Sequence, residues 1–352
     1  AKALTFTGTE HFRMPRNLPF REIGEIVTTL YVSDFQQEDK STAFAIGNAL
    51  SALREIVGKA ELIFDSPIYE IDYAGVGSVI FDLDGLKDKV ISGNHTRIII
   101  KNPTVGFIRL INSQNCIIRD FEIDYSPLPY VQAIITSVNQ TKGTFDCKVD
   151  DGFPDFEAQH VLAAPQNWSM LKDPEYPGRN KAGVRPHYPT AEIVRLLDKN
   201  FRISVGTNYI SDFSVGDIFV KLARYNGAAT IIFRNSSKNS IINVTVYASP
   251  AGVFKADLSS EINILDCNVK LYEGRYASSN ADCMHHMGAA VGPWIEGCLF
   301  EGHSDDTFNL KWRKALIMTQ SSSNEITLNT SCEVGELLWV YNPRDGLLID
   351  TI

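Results

Sequence analysis

The sequence predicts an all-β fold wound as a right-handed parallel β-helix. Three observations carry that expectation: a repeated register, turns too short for helical crossovers, and one amphipathic helix ahead of the first repeat. Phe107, Ile231, Val253 and Met284 each open a short strand-like run, and Ile118, Ile242, Ile264 and Ile295 each follow 11 residues later. Three of the second runs continue alike, as Ile118-x-x-Phe121-x-Ile123, Ile264-x-x-Cys267-x-Val269 and Ile295-x-x-Cys298-x-Phe300; Ile242-x-Val244-x-Val246 is one residue shorter. Openings recur after 22, 31 and 24 residues, with Phe308 as the next. Such periods leave no room for βαβ units and suit coils of two or three short strands, each stacked on its counterpart.

Each element follows from local chemistry. Ser41 is a good helix cap, and Phe44, Ile46, Leu50, Leu53 and Val57 recur near helical spacing, so 41–57 reads as a helix covering the open first coil. Glu61-Leu-Ile-Phe, Ser78-Val-Ile-Phe and Ile98-Ile-Ile begin the strands, and 106–125 is the first clear coil. The polar stretches at 112–115, 235–239 and 259–261 bond their own backbone and form tight turns. Cys116, Cys267 and Cys298 read as small apolar residues of the coil interior.

The register breaks between about 126 and 226. There Tyr130–Val138 with Thr144–Val149 reads as a hairpin, and Phe201–Val205 and Asp217–Leu222 as two more strands, giving an inserted antiparallel β module. Its stretch 153–192, with Trp168, Tyr176 and Tyr188, reads as a lid or binding loop. The chain therefore divides into an N-terminal cap segment and first strands at 1–75, first coils at 76–127, the insert at 128–226, and further coils at 227–352.

Composition narrows the partners. With 33 Lys and Arg against 42 Asp and Glu, the net charge of −9 disfavours nucleic acid and anionic membrane surfaces, which are held by basic patches. No stretch approaches the roughly 20 apolar residues of a membrane span. Six cysteines without CxxC spacing argue against zinc and against a disulfide framework. The chain starts at Ala1, so a signal peptide is expected to have been removed and the protein to be secreted or periplasmic.

Chemistry-bearing side chains concentrate at 273–312. If Met284 and Phe308 are equivalent, Asp282 and Asp306 stack at about 4.8 Å between backbones, with Asp305 alongside. Three crowded carboxylates repel, and that repulsion splits their protonation as glycoside hydrolysis requires: one acid to protonate the leaving oxygen, one base to activate water. A cation site or an exposed turn is the plainer alternative. Lys255, Arg275, Asn280, His285, His286, Asn309, Lys311 and Trp312 are candidate substrate-binding residues. His285 and His286 alternate along a strand, so only one of them faces the cleft.

Asp282-Cys-Met-His-His and Glu296-Gly-Cys-Leu-Phe-Glu-Gly-His-Ser-Asp-Asp-Thr-Phe-Asn-Leu resemble the exo-acting α-1,3-galactosidases of glycoside hydrolase family 110. They are more distantly similar to the pectin-lyase-like polygalacturonases. The resemblance implies a β-helix with an inserted β-barrel module, and inverting removal of terminal α-1,3-linked galactose with no metal or other cofactor. It implies catalysis by Asp282, Asp305 and Asp306, with Asp305 as general acid and the other two sharing the water. The expected partner is an oligosaccharide or polysaccharide. Two other readings stand beside it: a polysaccharide lyase using Lys255, Arg275 or Lys311 on a uronate, with the Asp cluster holding calcium, and a non-catalytic carbohydrate-binding solenoid.

Overall fold

Asp120, Asn243, Asp266 and Gly297 occupy the same place in four successive coils, and each has a left-handed backbone, with φ of 61°, 52°, 55° and 68°. Asp, Asn and Gly tolerate this conformation best. The kink resets the side-chain alternation of the strand. Ile118 and Phe121, three residues apart, therefore both point into the core, as do Ile264 and Cys267. Stacking links the column, since Asn243 Nδ2 donates to Asp120 Oδ1 at 2.7 Å. At Gly297 a Cβ would lie 2.3 Å from Asp266 Oδ1, so a larger residue there must displace that side chain.

The computed structural model describes residues 16–351 apart from 76, 290, 312–315, 323–324, 330–337 and 343. Two parallel sheets run along it. One joins Thr28–Tyr31, Ala60–Ile63, Lys89–Ile100, Ile117–Tyr125, Ser237–Val246, Ser260–Leu265 and Trp294–Glu296 in that order. The other joins Val79–Asp84, Gly106–Ile111, Ile231–Arg234, Phe254–Asp257, Met284–Met287 and Phe308–Lys311. Between them lies one core, in which Phe64, Phe107, Phe121, Ile231 and Met284 are buried.

Met284 pairs with Phe308, and Ile264 with Ile118's partner Ile241 and with Ile295, as the repeat requires. Three positions are shifted by one residue. Ile108 rather than Phe107, and Phe254 rather than Val253, pair with Ile231. Ile241 rather than Ile242 pairs with Ile118, so the run that looked a residue short has the common length. The two-residue apolar runs at these places allowed either choice.

The helix spans Thr42–Glu55, with Ser41 Oγ accepting from the Phe44 amide. Its buried face is Ala45, Ile46, Ala49, Leu50 and Leu53, whereas Phe44 and Val57 are 40% and 95% exposed and lie outside it. Alanines, invisible to a search for large apolar residues, complete the stripe. Residues 16–26 form an unforeseen strap across the first sheet. Arg16 donates to Ile262 O and Asn263 Oδ1, Arg21 pairs with Asp266 and Glu296, and Phe20, Ile23 and Ile26 pack on Val90, Ile117 and Ile242.

A third sheet, antiparallel and of six strands, is built wholly from residues 130–224, in the order Gln166–Lys172, Ile218–Arg224, Tyr130–Asn139, Thr144–Val149, Asn200–Ser204, Glu192–Leu197. It is open: among the described residues no strand pairing joins its two outer strands, so the barrel is not closed. Two of its strands, Gln166–Lys172 and Glu192–Leu197, touch the stretch read as a loop. The insert leaves the coils after Tyr125 and returns before Ile231. That is the same corner from which residues 247–253, 270–283 and 301–307 lead back to the second sheet, and the corner therefore carries both the insert and the Asp residues.

Candidate functional site

Asp282 and Asp306 each stand two residues before a strand of the second sheet, and the pairing of Met284 with Phe308 sets one above the other. One oxygen from each of Asp282, Asp305 and Asp306 lies within 4.8 Å of the others. The group is graded: Asp282 is buried, Asp305 half-buried and Asp306 exposed.

Each carboxylate has a partner of its own. His285 Nδ1 lies 2.7 Å from Asp282 Oδ2, and the Asp306 amide donates to Asp282 Oδ1 at 3.3 Å. Burial pushes the Asp282 carboxyl up, but the bond and charge of His285, the Asp306 amide and the charge of Arg224 outweigh it and hold Asp282 below the ordinary carboxylate range. Asn309 Nδ2 donates to Asp306 Oδ2 at 3.0 Å. Arg224 Nη1 donates to Asp305 Oδ2 at 2.8 Å, while its Nε donates to Asn226 and its guanidinium lies 4.3 Å over the Trp168 ring. Trp168 in turn meets His187, whose Nε2 is 3.4 Å from Ser304 O.

The other candidate residues divide. His285 and Asn309 belong to the site. Lys255 pairs in register with His285 and His285 with Asn309, so the three form one outward column, although the Lys255 ammonium is 3.0 Å from Asp257. His286 alternates inward as expected, buried against Ser259 O at 2.6 Å. Lys311 ends the last strand of the second sheet and is exposed. Trp312 lies outside the described residues. Asn280 is fully buried and donates to Pro129 O and Ala223 O, at the two ends of the insert, so it ties the insert to the coils instead of lining a cleft. Arg275 is drawn away: both its terminal nitrogens bond Asp124, at 2.7 and 3.0 Å. A lyase reading loses that guanidinium at the Asp cluster.

The sequence reading leaves out Arg224 and places Trp168 only in a lid or binding loop, not under a guanidinium at the Asp cluster. The signal was present in the strand Ile218–Arg224, which is buried along its whole length yet contains Lys221 and Arg224. Cations in such a strand need a reason to be there. Arg224→Met is expected to cost about 1–3 kcal/mol in urea unfolding, because it leaves a partly buried carboxylate without its charge partner. Arg224→Lys is expected to recover little, since an ammonium cannot lie flat on Trp168 while bonding both Asp305 and Asn226. Full rescue by Lys would sink that account.

Lys172 Nζ, Asn280 Oδ1, His303 Nδ1 and Ser304 Oγ are buried without a protein partner among the described residues. Burial, then the charge of Lys172, lowers the His303 imidazole below its ordinary value, against the opposing pull of Asp282, Asp305 and Asp306.

No family model matches the chain. α-1,3-Galactosidase A of Shewanella woodyi is 22% identical over an alignment of 272 residues that covers 72% of this chain and 43% of that protein. The chain thus spans less than half the length of this curated relative. A protein from Parabacteroides merdae proposed to be a glycosyl hydrolase aligns over 80% of this chain and 95% of its own, with 10% identity and a TM-score of 0.36. The Gp54 tailspike of Acinetobacter baumannii bacteriophage AP22, solved with a capsular saccharide, aligns over 78% of this chain and 46% of its own, with 9% identity and a TM-score of 0.18. By sequence, then, the chain is distantly similar to an α-1,3-galactosidase.

Proposed function

We propose that the chain is a glycoside hydrolase that removes terminal α-linked galactose from an oligosaccharide or polysaccharide, acting outside the cytoplasm with inversion at the anomeric carbon. The carrying observation is the cluster of Asp282, Asp305 and Asp306 with mutual oxygen distances within 4.8 Å. We read the two stacked parallel sheets as a right-handed parallel β-helix whose recurring corner displays this cluster. The named relative supports the sugar and linkage.

Two oxygens up to 4.8 Å apart both reach one water at about 2.8 Å, so Asp282 and Asp306 suit joint activation of a nucleophilic water. Asp282, held ionised by His285, takes the water proton as the oxygen bonds to the anomeric carbon. Asp305 takes up a proton once substrate displaces Arg224 from its Oδ2, and gives that proton to the departing glycosidic oxygen as the glycosidic bond breaks. The carboxylate oxygens lie closer than the roughly 6.5–9.5 Å of most inverting pairs and nearer the roughly 5–5.5 Å of retaining ones, so inversion here rests on two of the three carboxylates sharing one water. Lys255, His285, Asn309 and Lys311 offer donors to sugar hydroxyls.

A panel of α- and β-linked nitrophenyl sugars and natural oligosaccharides tests this, with Asp306→Asn as the blank. Release of galactose from α-linked donors by the unaltered chain alone is the expected result. Equal release by Asp306→Asn, or turnover confined to β-linked donors, contradicts it.

A further inference from the structure

A cavity of about 350 Å³ opens on the outer face of the first sheet, away from the Asp cluster's partners, and is lined by Arg97, Lys101, Asp124 and Arg275 among others. Its floor is set by register: Glu70 pairs with Ile99, and Ile99 with Asp124, so three parallel strands each send a side chain outward into one column. The link Ser126–Leu128 and Gly152 of the insert wall one side, and Arg275 the other.

Charge makes this cavity unusual in a chain of net charge −9. Three cations line it, Arg97, Lys101 and Arg275, against two carboxylates, Glu70 and Asp124. Asp124 is saturated. It accepts two bonds from Arg275, one from Arg97 at 2.9 Å and one from the Tyr125 amide. Lys101 reaches Glu70 at the rim, at 2.9 Å. Arg97 rests on the Tyr272 ring at 4.8 Å, and its Nε is buried with no protein partner among the described residues. Among the residues lining the cavity cations exceed carboxylates by one, with Glu122 beside Arg97 in register and Arg97 Nη1 also donating to the Tyr272 hydroxyl at 3.4 Å. The volume exceeds what a bare inorganic ion needs and matches a small-molecule site, and Ile68 and Ile99 give it an apolar floor suited to the CH face of a sugar ring.

We propose that this cavity binds a single acidic sugar residue, its carboxylate or sulfate meeting Arg97 and Lys101 and its ring lying on Ile68 and Ile99. It is a binding subsite, independent of the hydrolytic reading, because Asp124 already occupies the Arg275 guanidinium.

The test is calorimetric titration of the whole chain with galacturonate, galactose 6-sulfate, galactose and inorganic sulfate at low salt. Binding of at least one acidic sugar is expected, and which of the two binds identifies the anionic group. Arg97→Gln should weaken that binding by about tenfold or more, with Arg275 still holding Asp124. Lys101→Gln, a rim change that leaves the buried cluster whole, should weaken it by about threefold, a loss that fades at high salt. Turnover of a neutral α-galactoside should be unchanged in Lys101→Gln, so the two sites are read separately. Failure of both acidic sugars to bind, indifference to Lys101→Gln at low salt, or equal binding of galactose or of inorganic sulfate at this cavity would overturn the proposal.

Discussion

Asp305→Asn slows release of galactose from an unactivated α-1,3-linked disaccharide by about 10³–10⁴-fold, the upper range for loss of a general acid. Nitrophenyl α-galactoside loses far less, about tenfold or under, because nitrophenolate departs without a proton. Asp282→Asn should slow both substrates alike, since each needs the activated water. This contrast separates the roles of two groups that lie within 4.8 Å of each other. Steady-state rates on the two substrates measure it. Equal losses on both donors in Asp305→Asn would remove Asp305 from the acid role, and an unchanged variant would remove it from the chemistry.

Lys172→Met makes the chain more stable at neutral pH. The Lys172 side chain is fully buried on the insert strand, and its Nζ has no protein partner among the described residues. Burial lowers its pKa from 10.5 to about 8. Below about pH 8 both folded and unfolded chains carry the proton, and the folded chain bears the whole desolvation cost of about 3 kcal/mol. Between about 8 and 10.5 the folded chain sheds its proton first, so the cost shrinks; above 10.5 it is gone. Methionine has nearly the same length without the charge. Urea unfolding should therefore show a gain of about 2–3 kcal/mol at pH 7 that disappears toward pH 10.5. A loss at pH 7 would mean that the ammonium has an anionic partner in solution.

Much of this was legible in the sequence, for identifiable reasons. The stacking of Asp282 under Asp306 needed only the spacing of Met284 and Phe308, because a parallel ladder transmits register from coil to coil. The alternation of His285 and His286 followed from strand geometry alone. The one-residue shifts at Phe107, Val253 and Ile242 arose where adjacent apolar residues leave period and phase undetermined. Arg275 was misplaced because it lies in a long turn, where sequence distance to Asp282 says nothing about direction. Its destination, Asp124, is 151 residues away. Arg224 was unseen for the same kind of reason: Asp305 is 81 residues further on, and only the position of the insert at the recurring corner brings them together. Lys172 and Trp168 lay in a segment whose alternation is hidden by mixed polar and aromatic residues.

The most direct measurement is proton NMR of the first galactose released from an α-galactoside, followed before mutarotation. A water held between Asp282 and Asp306 and delivered opposite the bond that Asp305 protonates yields the β anomer first. Initial appearance of the α anomer would mean that one of the three carboxylates attacks carbon itself, and the shared-water account would be wrong.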